Sequence, residues 1–373
     1  MNKIKSFVKR EAMFVIALLF ALLSFIITPP SSELLLAINW KTLALLFMLF
    51  TVLEGFKREH MLDAFTCIAT RIKKPYVLSI FLVIAVFIVS AFITNDVALL
   101  AFVPITIAIF KKAERDRYTI SVVALETIAA NLGSMLTPFG NPQNLYLFDK
   151  LSISGSAFML FMAPLSCTSL GLLILAITFV FRHELKDEII LRIDNDYEIP
   201  NKGLRMFYFC LFIFTLIAVL SSISWLTMLV FFLLLIIAFD RSILKNVDWL
   251  LLATFLCFFV FSTNLASNER IKAMLGSAVA SNELLSGVLL SQVISNVPAA
   301  ILLEPFVTNL KALTYGVDIG GLGTLVASLA SLISFRLYAK SADGNKSSYL
   351  LTFTIWNVIF LLILYPIAML LLK

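Results

Sequence analysis

The chain has 373 residues, of which 61% are hydrophobic and only 14% charged, and its mean hydropathy is +0.99. A soluble domain is about half apolar and about a quarter charged, so this composition excludes a soluble domain of any size and indicates a polytopic membrane protein. The apolar runs lack the alternation of strands, which predicts an all-α fold. The net charge of +6 comes from basic residues that flank these runs, so it indicates topology and not a nucleic-acid partner.

The first apolar run, 12–28, follows a basic N-terminus and is not followed by a small-residue cleavage site. We therefore expect an uncleaved first helix in the inner (cytoplasmic) membrane, with the N-terminus in the cytoplasm. A second helix, at about 36–54, returns the chain to a strongly basic and hence cytoplasmic loop. Within this loop, 58–72 is predicted to form a short amphipathic helix on the membrane surface.

Basic residues flank the next apolar segment, at about 76–110, on both sides, which predicts that both of its ends are cytoplasmic. Two full crossings would fit, but the second arm is short for one, so we expect a re-entrant helical hairpin with Thr94, Asn95 and Asp96 at its tip. The following helix, at about 118–151, is predicted to break at TPFGNPQN. Its prolines remove backbone donors, and its glycine frees the backbone.

A basic cytoplasmic linker, 182–204, is predicted to separate an N-terminal half (1–181) from a C-terminal half (205–373). The C-terminal half is predicted to contain a hairpin at about 283–310, with Ser295 and Asn296 at its tip, and a broken helix at about 317–337. Asp318 is expected at the outer interface as a helix N-cap. The remaining predicted helices lie at 157–181, 206–221, 225–239, 247–264, 265–282 and 348–372, of which 265–282 is expected on the outer surface.

Two segments recur in the same order in the two halves, which indicates an internal duplication. The sequence TNDVALLAFVP at 94–104 matches SNVPAAILLEP at 295–305, and NLGSMLTPFGNPQNLYLF at 131–148 aligns without gaps with DIGGLGTLVASLASLISF at 318–335. Combined with the charge placement, this predicts two inverted-topology repeats. Polar breaks at matched positions of two such halves are typical of the binding site of a secondary transporter.

The predicted breaks offer ligands for an anion and for a cation. Half-helix N-termini and neutral Asn, Ser and Thr side chains donate to an anion, and no Lys or Arg lies in either signature segment. The candidate Na⁺ ligands are the tip residues Thr94, Asn95, Ser295 and Asn296. Asp96 adds a titratable carboxylate, and an intramembrane carboxylate is a functional candidate by default. Glu126 and Glu304 are weighed equally as proton relays and as packed structural residues.

Other classes of function lack their own signals. A channel would need a polar or charged pore ring, and a membrane enzyme would need a catalytic motif; neither pattern is present, so we expect no enzymatic activity. The four cysteines are isolated, without a Cys/His cluster. We therefore expect no cofactor other than Na⁺ as a coupling ion.

TNDVALLAFVP, TPFGNPQN and SNVPAA resemble the signature segments of the ion transporter superfamily, and the resemblance covers residues 34–372. This group includes arsenite permeases, divalent anion/sodium symporters, citrate transporters and some sodium/proton antiporters. The Asn-Asp tip is most similar to the arsenite-permease branch. The resemblance implies a secondary carrier of a small anion or oxyanion, coupled to Na⁺ or H⁺. It also implies an elevator-type movement of the hairpins and broken helices against a scaffold that dimerises.

The residues that match the signature segments are the candidate site. They are Thr94, Asn95, Asp96, Thr137, Gly140, Asn141, Asn144, Ser295, Asn296, Thr324 and Ser328. A Na⁺/H⁺ antiporter of the same superfamily is the alternative function, and Asp96 favours it. The expected partners are therefore a small inorganic or organic anion, Na⁺ or H⁺, the lipid bilayer and a second copy of the chain.

Overall fold

A computed structural model describes residues 11–29, 32–185, 188, 201–341 and 345–373. Most of the predicted linker, 182–204, lies outside the described residues. The described part is helical and contains no strand. Its α-helices are α1 (Ala12–Ile27), α2 (Ser32–Ala37), α3 (Trp40–Arg58), α4 (Asp63–Ala69), α5 (Pro75–Phe92), α6 (Asn95–Lys112), α7 (Asp116–Ser134), α8 (Pro142–Leu151), α9 (Gly155–Val180), α10 (Lys202–Leu220), α11 (Trp225–Asp240), α12 (Trp249–Ala266), α13 (Glu269–Ala280), α14 (Glu283–Ile294), α15 (Asn296–Leu303), α16 (Leu310–Gly320), α17 (Leu329–Ala339) and α18 (Lys346–Leu371).

Within the described ranges, six helices are long and apolar enough to cross a membrane. They are α5, α9, α10, α11 with the short 3-10 helix that follows it, α12 and α18. The pair α13 and α14 would add a seventh, but its two helices meet at a bend of 107°. The predicted all-α polytopic membrane fold is thus confirmed.

The order of helices in the first half recurs in the second. The run from α3 to α9 consists of a long helix, a short helix, a two-armed hairpin, a broken helix and a long final helix, and the run from α12 to α18 has the same order. The packing recurs as well, because α5 packs on α7 as α14 packs on α16. The second part of each broken helix packs on the hairpin of the other half: α17 packs on α6, and α8 packs on α15.

Both hairpins turn on a hydroxyl residue with a positive φ angle. Thr94 has φ 122° and lies between α5 and α6, and Ser295 has φ 76° and lies between α14 and α15. A non-glycine residue in this region is strained, and such strain persists only where the surrounding structure imposes it. Neither side chain caps the helix that it precedes. The two tips therefore share a backbone conformation as well as a sequence pattern.

Both predicted helix breaks are present, although only the first contains proline. Residues 135–141 separate α7 from α8, and residues 321–328 separate α16 from α17. The second broken helix begins earlier than the predicted 317, because α16 starts at Leu310. Its break forms without proline because Gly323 has φ 107° and Ser328 caps α17 by accepting a hydrogen bond from the backbone N–H of Ala330.

Aligned glycines bring each broken helix close to the first arm of its hairpin. A Cβ atom on Gly133 would overlap the backbone carbonyl oxygen of Phe87. A Cβ atom on Gly320 would lie 2.8 Å from Oγ of Ser291 and 3.0 Å from Cα of Val288. Phe87 and Val288 are each the seventh residue before their hairpin tip, so the same close approach is made twice.

Candidate functional site

The hairpin tips and the helix breaks meet in a buried polar cluster, which consists of Asn95, Asn131, Asn141, Asn296, Asp318 and Ser328. Each of these side chains is at most 6% exposed. Four helices begin beside the cluster: α6 at Asn95, α15 at Asn296, α8 directly after Asn141 and α17 directly after Ser328.

The first half reaches into the second through Asn131, near the end of α7. The hydroxyl of Ser328 donates to Oδ1 of Asn131 at 2.9 Å, and Nδ2 of Asn95 lies 3.4 Å from the same oxygen. Nδ2 of Asn131 donates to the backbone carbonyl of Gly321 at 3.4 Å. One asparagine of the first broken helix thus contacts its own hairpin tip and the break of the second half.

The second half reaches into the first through Asp318, in the last turn of α16. Nδ2 of Asn141 and Nε2 of Gln143 each donate to Oδ1 of Asp318 at 3.2 Å. Oδ2 of Asp318 is buried and has no hydrogen-bond partner. The expectation that Asp318 is an N-cap at the outer interface is wrong: Asn309 caps this helix, and Asp318 is only 1% exposed.

These two sets of contacts are equivalent. In the gap-free alignment, Asn131 matches Asp318 and Asn141 matches Ser328. The pair Asn131–Ser328 and the pair Asp318–Asn141 are therefore the same contact made in the two directions between the halves. One arrangement pairs an amide with a hydroxyl, and the other pairs a carboxylate with an amide.

The second hairpin tip closes the other side of the cluster. The backbone N–H of Asn296 donates to the carbonyl of Ala327 at 2.9 Å, and the hydroxyl of Ser295 lies 3.4 Å from the same oxygen. A Cβ atom on Gly321 would lie 2.8 Å from Nδ2 of Asn296, so a larger residue at this position would displace the Asn296 amide. The tip is therefore held against the break of its own half.

The predicted threonines of the breaks position the hairpins. The hydroxyl of Thr137 donates to the carbonyl of Ala91, and that of Thr324 donates to the carbonyl of Gln292 at 3.1 Å. Thr324 is exposed and does not line the buried cluster. Among the other predicted residues, Gly140 packs against the carbonyl of Ser134.

Two predicted residues at the cluster retain an oxygen without a hydrogen-bond partner. Nδ2 of Asn144 donates to the carbonyl of Met135 at 3.1 Å, but its Oδ1 is buried without a partner. Asp96 is partly exposed, and its Oδ1 is likewise buried and unpartnered. Asp96 follows Asn95, whose Oδ1 accepts its backbone N–H at 2.9 Å.

The two candidate proton-relay residues lie away from these contacts. Oε1 of Glu126 accepts a hydrogen bond from Thr106 at 2.5 Å, one and a half helical turns before Asn131 on α7. Glu304 forms an ion pair with Lys150 at 3.3 Å and accepts a hydrogen bond from Tyr146 at 2.8 Å. Glu304 therefore links α8 to the end of the second hairpin.

Sequence reasoning missed four residues of this region: Asn131, Gln143, Asp318 and Gln292. Gln292 donates to the carbonyls of Gly320 and Leu322 at 2.8 and 3.0 Å, so it fixes the start of the second break. The available signal for Asn131 and Asp318 was their matched polar position at the start of the aligned segments. Within the described part of the chain, no group of three or more His, Cys, Asp or Glu side chains could hold a metal ion.

Comparisons with known proteins show the family of this chain. A family model described as "Citrate transporter" matches residues 7–328. The chain is 32% identical over 319 residues to the "Uncharacterized transporter MJ0456" of Methanocaldococcus jannaschii, a match that covers 83% of this chain and 82% of the relative. It is 30% identical over 308 residues to the "Inner membrane protein YbiR" of Escherichia coli, a match that covers 81% and 80% of the two chains. The chain therefore belongs to the citrate transporter family of membrane transporters, within the ion transporter superfamily.

Proposed function

We propose that this transporter is a secondary carrier of a small anion or oxyanion, of the di/tricarboxylate or arsenite-like class, and that Na⁺ or H⁺ drives it. The observation that carries the proposal is the pair of equivalent contacts Asn131–Ser328 and Asp318–Asn141. They join buried polar groups of both halves at the point where four helices begin. The family match supports citrate as the first substrate to test.

An anion at this point would be bound by dipoles and neutral donors. The N-termini of α6, α8, α15 and α17 present backbone N–H groups and the positive ends of their helix dipoles. Within the described residues, no Lys or Arg side chain forms an ion pair with a member of the polar cluster. At the two tips, Na⁺ would be bound by side-chain and backbone oxygens of Thr94, Asn95, Ser295 and Asn296.

The proposed movement is of the elevator type. The hairpins α5–α6 and α14–α15 would be re-entrant, and the two halves would be inverted repeats. The hairpins and the broken helices would together form a transport domain. This domain would move against a scaffold, and the protein would dimerise through that scaffold. The recurring helix order and the crossed packing of α17 on α6 and α8 on α15 support one body built from both halves. An inner-membrane location with a cytoplasmic N-terminus completes this proposal.

Na⁺/H⁺ antiport is the second candidate function, and two carboxylates favour it. Asp96 and Asp318 each have a buried carboxylate oxygen without a hydrogen-bond partner. A carboxylate that exchanges Na⁺ for H⁺ would not need hydrogen-bond donors for a bound anion. The two functions differ in whether an anion crosses the membrane.

Gradient-driven uptake into proteoliposomes tests the proposal. The purified protein is reconstituted, an inward Na⁺ or H⁺ gradient is imposed, and uptake of citrate, succinate, arsenite and sulfate is measured. The account predicts that a gradient accelerates uptake of at least one anion and that Asn95→Ala reduces this uptake by roughly tenfold or more, because a donor to a charged ligand is lost. Exchange of Na⁺ for H⁺ without movement of an anion would replace the carrier with the antiporter.

Asn264→Ala is the matched control. Asn264 is a buried asparagine of α12 that donates to the hydroxyl of Ser24 at 2.8 Å, outside the polar cluster. Equal losses of uptake in Asn264→Ala and Asn95→Ala would contradict a site at the hairpin tip.

A further inference from the structure

We infer that Asp318 binds the monovalent cation that drives transport, Na⁺ or a proton, with the side-chain oxygen of Asn144 as a second ligand. This inference rests on the proposed function and names the coupling site within it. It differs from the sequence expectation, which placed Na⁺ at the hairpin tips and a titratable group at Asp96.

Asp318 is a buried carboxylate with no compensating cation. It is 1% exposed, and no basic side chain of the described residues pairs with it. Its Oδ1 accepts two neutral amide donors, while its Oδ2 has no partner. An isolated charge is unfavourable in this setting, so a membrane carboxylate of this kind binds a cation or carries a proton.

Asn144 adds a second unpartnered oxygen at the same place. Asn144 follows Gln143, which donates to Asp318, and Oδ1 of Asn144 is buried without a hydrogen-bond partner. A proton on Oδ2 of Asp318 would let the carboxyl group donate to this oxygen. A Na⁺ ion would instead use both oxygens as ligands, which is the type of ligand that hard cations prefer.

Titratable groups on the neighbouring elements are already engaged or lie elsewhere. The elements that pack on α16 are α7, α8, α14, α15 and α18. On these elements Glu126 accepts from Thr106, Tyr146 donates to Glu304, Lys150 pairs with Glu304, Lys41 pairs with Asp149, and Glu283 accepts the backbone N–H groups of Thr308 and Asn309. On α16 itself Tyr315 donates to the carbonyl of Phe161. On α18 Tyr349 stacks on Tyr338, and the hydroxyl of Tyr365 accepts from Asn282.

The position of Asp318 gives a physical basis for coupling. A negative carboxylate at the start of α8, where Asn141 and Gln143 contact Asp318, repels an anion, and this repulsion is strong where water is excluded. When Na⁺ or a proton neutralises Asp318, this repulsion is removed, and the helix N-termini around the cluster can bind the anion. The cation would therefore bind before the anion, and both would cross together.

Cation-dependent thermal stability of the purified full-length protein, without any anion substrate, tests this site separately from transport. One arm raises NaCl against choline chloride at constant ionic strength and fixed pH, and the other lowers the pH in choline chloride alone. A ligand that binds only the folded protein raises its melting temperature. We expect the wild type to respond to one arm, which identifies the cation, and Asp318→Asn to lose that response.

Two further variants keep the test decisive. Asp96→Asn makes the same carboxyl-to-amide change at the other candidate and should keep the response of the wild type. Asn144→Ala should raise the half-maximal Na⁺ or proton concentration by roughly tenfold, since it removes one ligand, and it serves if Asp318→Asn does not fold. A wild type that responds to neither arm, a response that survives in Asp318→Asn, or an unchanged half-maximal concentration in Asn144→Ala overturns the inference even if anion uptake is observed.

Discussion

Thr137 and Thr324 make the same hydrogen bond in the two halves of the chain. Each lies in a helix break, and each hydroxyl donates to the carbonyl of the third residue before a hairpin tip: Ala91 for Thr137 and Gln292 for Thr324. The sequence alignment pairs the two threonines without any structural information. Each bond fixes the distance between a hairpin and the broken helix of its own half.

Thr137→Val should loosen the first hairpin, because valine keeps the volume but removes the donor. We expect the free energy of unfolding to fall by about 1 kcal/mol. The decrease is larger if the carbonyl of Ala91 stays buried without another donor. The measurement is thermal unfolding in detergent. Thr215→Val is the matched control: this buried threonine donates within its own helix, to the carbonyl of Leu211, and its loss should leave the hairpin unchanged. Equal losses of stability in the two variants would contradict the positioning role.

A double-mutant cycle of Asn131→Ala and Ser328→Ala tests the contact between the halves. The Ser328 hydroxyl donates to Oδ1 of Asn131 at 2.9 Å, so the two substitutions should not be additive. We expect a coupling energy of about 0.5 to 3 kcal/mol in thermal unfolding. Strict additivity would show that this contact does not hold the two breaks together.

Gly133→Ala should destabilise the protein by about 1 to 3 kcal/mol, because its methyl group would overlap the carbonyl oxygen of Phe87. Gly171→Ala is the matched control, since it lies within α9 and a Cβ atom there would meet no atom within 4 Å. That change should be neutral or stabilising by up to about 1 kcal/mol. A destabilised Gly171→Ala and an unaffected Gly133→Ala would contradict the close packing of α7 on α5.

The sequence was sufficient for the elements whose signals are local. The length of the apolar runs predicted the long helices. The two hydroxyl–Asn pairs indicated the two hairpin tips, and the prolines indicated the first break. The start of the second broken helix, at Leu310, was missed, and its break at 321–328 contains no proline to locate it. Asp318 was misplaced because its burial depends on Asn141 and Gln143 in the other half, and contacts between distant segments leave no local signal.

Cysteine accessibility in intact cells tests the predicted inverted arrangement. Lys73 precedes the first hairpin and Ser281 precedes the second, and both residues are exposed. In a background without the four native cysteines, a membrane-impermeant reagent should label Ser281→Cys from outside and Lys73→Cys only after permeabilisation. Labelling of both positions from the same side would contradict inverted repeats.

The most direct measurement of the shared site is the affinity of the purified protein for whichever anion the wild type transports. Asn95 and Asn296 belong to different hairpins, and both are buried members of the polar cluster. Asn95→Ala and Asn296→Ala should each weaken binding by roughly 10- to 100-fold, since each removes a donor to a charged ligand, whereas Asn264→Ala should bind like the wild type. Weakened binding in only one tip variant, or in neither, would contradict a site built by both halves.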